Sequence, residues 1–230
     1  MEKIIRIIFA SLFTIGLSTN FAKAQISNLS DISGTVITQK NYAEVNGSPY
    51  FFDKWVNGNV VLANGKSIKD IGLKYDQVKD ELLFAGKNNE EYYFNDPIKE
   101  FTLFEKKNNI AFVFLFRNGF PDVKNLTVKS YYEVVMDGEI KLLKKNVKSI
   151  SETKEYNSAT TVKNINDNFN YYLANSTGIT QLKKDDMKVL ATALNEQKSS
   201  LILEYAKKNK LSPKKEEDLI KVITYYYSIK

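Results

Sequence analysis

The amino-acid sequence predicts a mainly β protein of the α+β class. We expect an antiparallel meander that forms a sandwich, a roll or an open barrel, followed by a short C-terminal helical segment. Turn residues recur about every ten to fifteen positions between residues 33 and 182, and no helix-length segment intervenes. Apolar residues take helical spacing only after residue 183. The prediction is therefore a signal peptide at residues 1–24, a β domain at 25–182, and a helical segment at 183–230 packed on it.

The first 24 residues have the three regions of a secretory signal peptide. Lys3 and Arg6 make the N-terminus basic, and residues 7–17 form an apolar run. Ala22-Lys23-Ala24 is a small-x-small cleavage site, so the mature chain is expected to begin at Gln25. The alternative is an uncleaved membrane anchor, but spanning a bilayer takes ~20 apolar residues. We expect an exported protein, periplasmic or extracellular, with no later transmembrane helix and no lipid anchor, since no cysteine follows the cleavage site.

The β domain is defined by its turns. Asn64-Gly65 and Asp137-Gly138 separate β-branched and apolar runs, which favours type I′ hairpins. Looser turns fall near residues 86–89, 107–109, 118–119 and 175–178. Between these turns lie strand-like segments at residues 59–62, 67–75, 81–84, 91–94, 98–104, 110–116, 126–133, 139–143 and 169–173.

One segment is apolar throughout. Residues 110–116 read Ile-Ala-Phe-Val-Phe-Leu-Phe, the pattern of a strand buried on both sides, so we expect it at the centre of the core. Adjacent tyrosines such as Tyr131-Tyr132 and Tyr171-Tyr172 should each give one core ring and one surface ring, because neighbouring side chains on a strand point to opposite faces.

Two or three short helices are predicted in the C-terminal segment. The first follows Asp185-Asp186, and the second ends near residues 208–210. Ser212-Pro213 predicts an N-cap and first position for the third, whose apolar stripe is Leu219, Val222, Ile223 and Tyr226.

Composition excludes several kinds of site. The chain has no cysteine and no histidine, which removes disulfides, Ser-His and Cys-His nucleophiles, and the usual zinc, haem and iron–sulfur ligand sets. We expect no cofactor. Without the predicted signal peptide 30 basic and 26 acidic residues remain, with the single arginine Arg117, so nucleic-acid binding is not expected. The kinds of site that the composition still allows are carboxylate-based catalysis, metal binding through oxygen ligands, and ligand binding without catalysis.

The candidate ligand-binding residues are Tyr50, Phe52 and Trp55, in the densest aromatic segment. Aromatic side chains usually fill the core of a β domain. The alternative is an exposed surface that stacks on sugar rings, and a Trp55 more than half exposed would favour it.

Carboxylates could supply hydrolytic chemistry. The acid pairs Asp80-Glu81, Glu90-Glu91 and Asp185-Asp186 are candidates for glycoside hydrolysis if two acids converge in one cleft. Residues 151–154 match a Ser-x-x-Lys pattern, which we attribute to chance because the chain has many serines and lysines. Residues 164–168 lack the glycine and the closing acid of a calcium loop, so we predict a polar loop there.

Three stretches carry a resemblance: Ala22-Lys23-Ala24-Gln25, residues 47–55 running on to 80–84, and residues 214–227. In these the chain resembles small exported β-rich proteins of Bacteroidetes bacteria. The resemblance implies export and no activity, so no functional residue is carried over.

Two functions remain as hypotheses. The first is a non-enzymatic β domain that binds an envelope protein or a glycan. The second is a carboxylate-dependent hydrolase acting on envelope or polysaccharide material.

Overall fold

The computed structural model describes residues 32–37, 42–87, 90–154 and 161–230. Its strands are β1 Gly34–Val36, β2 Val45–Asn46, β3 Val56–Leu62, β4 Ser67–Asp76, β5 Glu81–Ala85, β6 Glu91–Phe94, β7 Ile98–Lys107, β8 Ile110–Arg117, β9 Tyr132–Met136, β10 Lys141–Lys154, β11 Thr161–Asn175 and β12 Gly178–Gln181. Its helices are α1 Met187–Leu194, α2 Ser199–Lys208 and α3 Glu216–Ser228. The predicted cleavage site at Ala22, Ala24 and Gln25 lies outside the described residues.

All twelve strands join one open, curled sheet. Its order is β1-β6-β5-β4-β3-β7-β8-β9-β10-β11-β12, with every neighbour antiparallel, while β2 lies parallel to β11. Lys148 on β10 donates to the carbonyl oxygens of Ser48 (2.9 Å) and Tyr50 (2.7 Å), which ties the segment before β3 to the far half of the sheet. The predicted class, a mainly antiparallel β protein with C-terminal helices, is confirmed.

The core is divided by the curl of the sheet. One cluster lies on the concave side of β3, β4, β5, β7 and β8 and includes Tyr75, Phe101 and Phe116. A second lies between the helices and β10–β11. The third packs Phe120 and Tyr132 on the opposite face of β9–β11.

Strand β11 is buried on both faces at residues 171–174, whereas β8 is not. Tyr171 and Leu173 face the helices, while Tyr172 and Ala174 face the Phe120 cluster, and all four are buried. Two layers cover this strand, so both rings of the pair Tyr171-Tyr172 are buried and the expected surface ring is absent. Tyr131 and Tyr132 are likewise both buried.

Strand β8 lies at the surface for most of its length. Phe116 is its single buried residue, whereas Val113 is 62% exposed and Ile110 is 59% exposed. The prediction that residues 110–116 form the centre of the core is therefore wrong. The apolar composition of β8 does not show whether another element packs on it. The helices pack on β10–β11 and leave β8 exposed.

The hairpins form at the predicted places, with different turn geometry. Gly65 has φ +85° but Asn64 is not left-handed, and Gly65 N donates to Leu62 O, so this turn is not type I′. Gly138 alone has positive φ in the second Gly-containing turn. The two-residue loop with both residues at positive φ is Asn108-Asn109, between β7 and β8.

Two other local predictions are wrong. Residues 164–168 are not a loop but part of β11, because they pair along β10 in a 14-residue ladder. The segment 126–133 becomes a strand only from Tyr132, since Leu126 bonds back to Val123 in a local turn.

The helices follow the predicted spacing. Asp186 caps α1 by accepting from Lys188 N, and the four stripe residues of α3 are buried. The third helix begins at Glu216 rather than at Pro213, because Ser212 and Pro213 sit in a preceding turn where Asp218 accepts from Ser212 N. Among the described residues, none of the helices is long and apolar enough to cross a membrane.

Candidate functional site

A cleft of about 580 Å³ lies where the start of β5, the β6–β7 connection and the loop before β9 meet. Its volume is in the range of small-molecule sites. The lining has polar and apolar parts. Its apolar residues are Leu82, Phe94, Pro97 and Ile98, and its polar residues are three acids, two lysines, two asparagines, two hydroxyl side chains and two tyrosines: Asp80, Glu81, Asp96, Lys79, Lys129, Asn95, Asn118, Thr127, Ser130, Tyr93 and Tyr131.

The β4–β5 turn that forms one wall of the cleft is fixed by Asp76. This carboxylate is buried and accepts hydrogen bonds from Val78 N (2.9 Å), Lys79 N (3.0 Å) and Tyr42 Oη (2.6 Å). The turn ends at Asp80 with φ +60°, the left-handed region that few side chains other than Asn and Asp adopt. Asp80 is thereby directed to the boundary between cleft and core.

Asp80 joins the cleft to a buried polar cluster. Its carboxylate lies 2.6 Å from Lys145 Nζ and accepts from Tyr75 Oη at 2.5 Å and from Tyr131 N at 3.4 Å. The side chain of Lys145 is 4% exposed, and that of Asp80 is 25% exposed. A charged lysine at this depth requires such a partner, because an unpaired ammonium in the interior loses its hydration without compensation.

Burial changes the proton affinity of this cluster. It lowers the pKa of the Lys145 ammonium, although Asp80 opposes the shift. Burial and the neighbouring Asp80 raise the pKa of Tyr75 well above its ordinary value, and burial likewise raises the pKa of Tyr131. The cluster thus combines the Asp80–Lys145 ion pair with two phenols that keep their protons to higher pH than exposed tyrosines do.

Internal hydrogen bonds hold much of the cleft lining in place. Asn118 donates to Ile98 O at 2.7 Å, Tyr131 Oη donates to the same carbonyl at 3.2 Å, and Lys79 Nζ donates to Tyr93 Oη at 2.8 Å. The wall of the cleft is thus rigid before any ligand arrives, which reduces the entropy cost of binding.

Three charged side chains at the rim point to solvent. Glu81, Asp96 and Lys129 are exposed and make no hydrogen bond or ion pair with the described residues. Burial against the cleft wall raises the pKa of Glu81, and Asp76 and Asp80 add to the rise while Lys79 opposes it. These groups are available to a ligand. Among the described residues, no three carboxylates are grouped so that they could hold a metal ion.

The structure separates the three sequence-predicted aromatic residues. Tyr50 and Trp55 both contact the ammonium of Lys74, which lies 4.7 Å and 4.5 Å from the two ring centroids. Phe52 instead packs with Phe51 on the concave core. All three are partly buried, so the condition of a Trp55 more than half exposed is not met. Lys74 fills the space between the rings where a sugar would stack.

Of the acid pairs, only Asp80-Glu81 lines the cleft. Asp186 caps α1 as described, and Glu91 pairs with Lys74 at 3.4 Å. Ser151 and Lys154 lie at the outer end of β10, in a strand. Sequence reasoning missed Lys145 and Tyr75, and the available signal was weak: Lys145 stands two positions after Leu143, in phase with a buried face.

Comparison of the chain with family models, with curated proteins and with solved structures finds no match. The site must therefore be interpreted from its own geometry.

Proposed function

We propose that this chain is an exported, non-enzymatic binding protein that holds a hydroxyl-rich ligand, a glycan, in the cleft beside Asp80. The cleft carries the proposal: it is of ligand size, it combines carboxylates, amides and ammonium groups, and its wall is fixed in advance. A ligand with many hydroxyl groups can donate to Glu81 and Asp96 and accept from Lys129. The partly buried ring of Tyr93 lines the cleft and offers apolar contact for the carbon face of a sugar.

The polar lining argues against other ligand classes. An apolar ligand would leave the carboxylates of Glu81 and Asp96 without partners, which costs binding free energy. A strongly anionic ligand would meet two acids, Glu81 and Asp96, against Lys129 at the same rim. A neutral polyol satisfies both signs of charge, because each hydroxyl group both donates and accepts.

Export follows from the predicted signal peptide and is part of the proposal. We expect the protein purified from its native cells to begin at Gln25, as measured by N-terminal sequencing and intact mass. Ala22→Asp together with Ala24→Asp should abolish cleavage, since the cleavage site requires small residues. Ala10→Ser, in the apolar run, is the control and should be processed normally. An N-terminus at Met1 in the native protein would contradict export by cleavage.

Ligand binding can be tested with defined soluble sugars. We expect residues 25–230 to bind cellotriose, maltotriose or the trimer of N-acetylglucosamine with a Kd of about 1 mM or tighter in calorimetric titration. Glu81→Gln and Asp96→Asn should each weaken that binding about tenfold, because each removes a charge-assisted hydrogen bond. Glu105→Gln, which changes a partly buried acid outside the cleft, is the control and should bind as the wild type does.

A separate experiment tests where the sugar binds. Amide chemical-shift changes on sugar addition should fall on residues 79–82 and 93–98, while the indole signal of Trp55, the single tryptophan, stays unchanged. Shifts confined to Trp55 and Tyr50 would place the ligand on the aromatic surface and contradict the cleft. Absence of binding by all three sugars would contradict a glycan ligand.

A carboxylate-dependent hydrolase is the second candidate, because three acids share the cleft and the pKa of Glu81 is raised, as a general acid requires. The same titration samples distinguish the two. Hydrolysis would release new reducing ends from the bound sugar, and Glu81→Gln would stop their release. We favour binding, since Asp80 is directed inward to Lys145 and Tyr75 and is not free to act as a nucleophile.

A further inference from the structure

Two tyrosines of the helical segment form a stack. The rings of Tyr205 on α2 and Tyr225 on α3 have centroids 3.9 Å apart, and their planes are within 3° of parallel. Four other tyrosine–tyrosine ring contacts occur within the described ranges, with centroids 5.3–6.3 Å apart and planes 49–84° from parallel. Among the described tyrosines, only this pair therefore places two phenol rings face to face.

The packing of α2 and α3 holds the two rings together. Tyr205 stands next to Ala206, and Tyr225 stands next to Tyr226. Both of these neighbours are buried in the cluster that packs on β10–β11. The stacked tyrosines are therefore at the margin of the buried stripe of each helix, where the two helices meet. The distance between the rings is set by the core beneath them.

The two phenols of the stack are open to solvent. Tyr205 and Tyr225 are only partly buried. Within the described ranges, the buried side-chain oxygens without a hydrogen-bond partner belong to Tyr132 and Gln181, and the stacked hydroxyls are not among them. A buried phenol such as Tyr75 instead has its pKa raised by burial, so it does not readily lose a proton. Oxidation of a phenol to a phenoxyl radical releases a proton with the electron, which favours the solvated pair.

The composition of the chain also directs one-electron oxidation to tyrosine. The chain has no cysteine, the side chain that is oxidised most readily, and Trp55 is its single tryptophan. Trp55 is partly buried, and its ring is covered by the Lys74 ammonium at 4.5 Å from the ring centroid. Methionine gains an oxygen atom on oxidation and forms no cross-link.

We propose that Tyr205 and Tyr225 are a site of oxidative cross-linking, at which a one-electron oxidant of the haem-peroxidase class joins the two rings as dityrosine. Each phenol loses one electron and one proton and becomes a phenoxyl radical. The radicals couple through one Cε carbon of each ring, and the hydrogens on these two carbons move to the phenoxyl oxygens, which restores both aromatic rings. The released electrons and protons reduce one hydrogen peroxide to two waters. Two tyrosines and one peroxide therefore give one dityrosine and two waters.

The bond would join α2 to α3 covalently. Without cysteine the chain cannot make this connection through a disulfide. A link between residues 205 and 225 closes the loop between the two helices and restricts the unfolded chain, the effect by which cross-links stabilise a folded state. The helical segment would thereby become more resistant to unfolding.

The experiment treats the purified protein with a haem peroxidase and hydrogen peroxide at low protein concentration, and it identifies the products by mass spectrometry. The wild type should give a monomer that has lost two hydrogen atoms. Its tryptic digest should contain two peptides joined at residues 205 and 225, with fragment ions that place the bond on these two rings. Tyr205→Phe and Tyr225→Phe keep the ring but remove the phenol, so neither should give this linked pair.

Tyr227→Phe is the matched control, because it removes a phenol from the same helix outside the stack. The Tyr227 hydroxyl accepts from Ile140 N at 3.0 Å, and this variant should cross-link as the wild type does. The linked wild type should also have a higher urea midpoint than the untreated protein, whereas treated Tyr205→Phe should not.

Three results would overturn the proposal. The first is a wild type that yields mainly covalent dimers, since tyrosines of different molecules would then couple more readily than the stacked pair. The second is a monomer without a bond between residues 205 and 225. The third is equal loss of hydrogen by the wild type and by Tyr205→Phe, which would place the oxidation elsewhere.

Discussion

Asp80→Asn is expected to destabilise the fold by about 3–5 kcal/mol, the cost of leaving a buried charge without its partner. The Lys145 ammonium is 4% exposed and lies 2.6 Å from the Asp80 carboxylate. Asparagine keeps the size of the side chain and tolerates the left-handed φ of this position, so the charge is the principal change. The loss should appear as a lower midpoint in urea denaturation with an unchanged slope.

Two further variants identify the cause. The double variant Asp80→Asn with Lys145→Met should recover a large part of the lost stability, since it removes the unpaired charge and leaves an apolar side chain in its place. Glu105→Gln breaks a pair at the surface in which the Lys54 side chain is 65% exposed and the Glu105 side chain is 16% exposed, and it should cost less than about 1 kcal/mol. A cost for Asp80→Asn no larger than that of Glu105→Gln would show that the buried pair contributes little.

The protein is expected to unfold between about pH 10 and pH 12, because its interior is rich in tyrosines that ionise only when exposed. Burial raises the pKa of five tyrosines whose side chains are at most 8% exposed. They are Tyr75, Tyr131, Tyr132, Tyr171 and Tyr172. In the unfolded chain these phenols ionise near pH 10.

The direction in which stability changes with pH follows from the number of protons bound in the folded and unfolded states. Above pH 10 the folded state keeps protons that the unfolded state has lost, so stability falls as pH rises. Each tyrosine contributes up to about 1.4 kcal/mol per pH unit, so five together contribute up to about 14 kcal/mol over two units, near the upper end of the usual 5–15 kcal/mol of folding stability. Lys145 acts in the opposite direction, since its lowered pKa makes stability rise with pH, but it is one group and its effect ends near pH 10.4.

The measurement is a pH titration that follows tyrosinate absorbance and circular dichroism together. Ionisation should coincide with loss of β structure, because the buried phenols titrate only through unfolding. Tyr132→Phe should move the midpoint to higher pH, since the Tyr132 hydroxyl is buried with no hydrogen-bond partner among the described residues. Ionisation of all tyrosines with the fold intact at pH 12 would contradict this account.

The helices and hairpins were predictable because their signals are local. The stripe of Leu219, Val222 and Ile223 requires only the 3.6-residue repeat of one helix, and Gly65 requires only its own φ. The predicted turn types were nevertheless wrong: the type I′ signature occurs at Asn108-Asn109, for which the sequence predicts a looser turn.

Burial could not be predicted in the same way. The sequence shows that residues 110–116 are apolar, but only the packing of the helices on β10–β11 decides that β11 is covered on both faces and β8 is not. The tyrosine pairs follow the same rule, since a strand between two layers has no surface face. The apolar run therefore marks an exposed edge rather than the centre of the core.

By itself, the sequence determined the strand-rich class, the helical C-terminal segment and the absence of cysteine and histidine chemistry, because composition and short-range periodicity suffice for these. Only the tertiary structure decided which polar residues meet. Asp80 and Lys145 are 65 positions apart and approach because the sheet curls β4 toward β10. Contacts at that separation depend on sheet order and curvature, which no local pattern encodes.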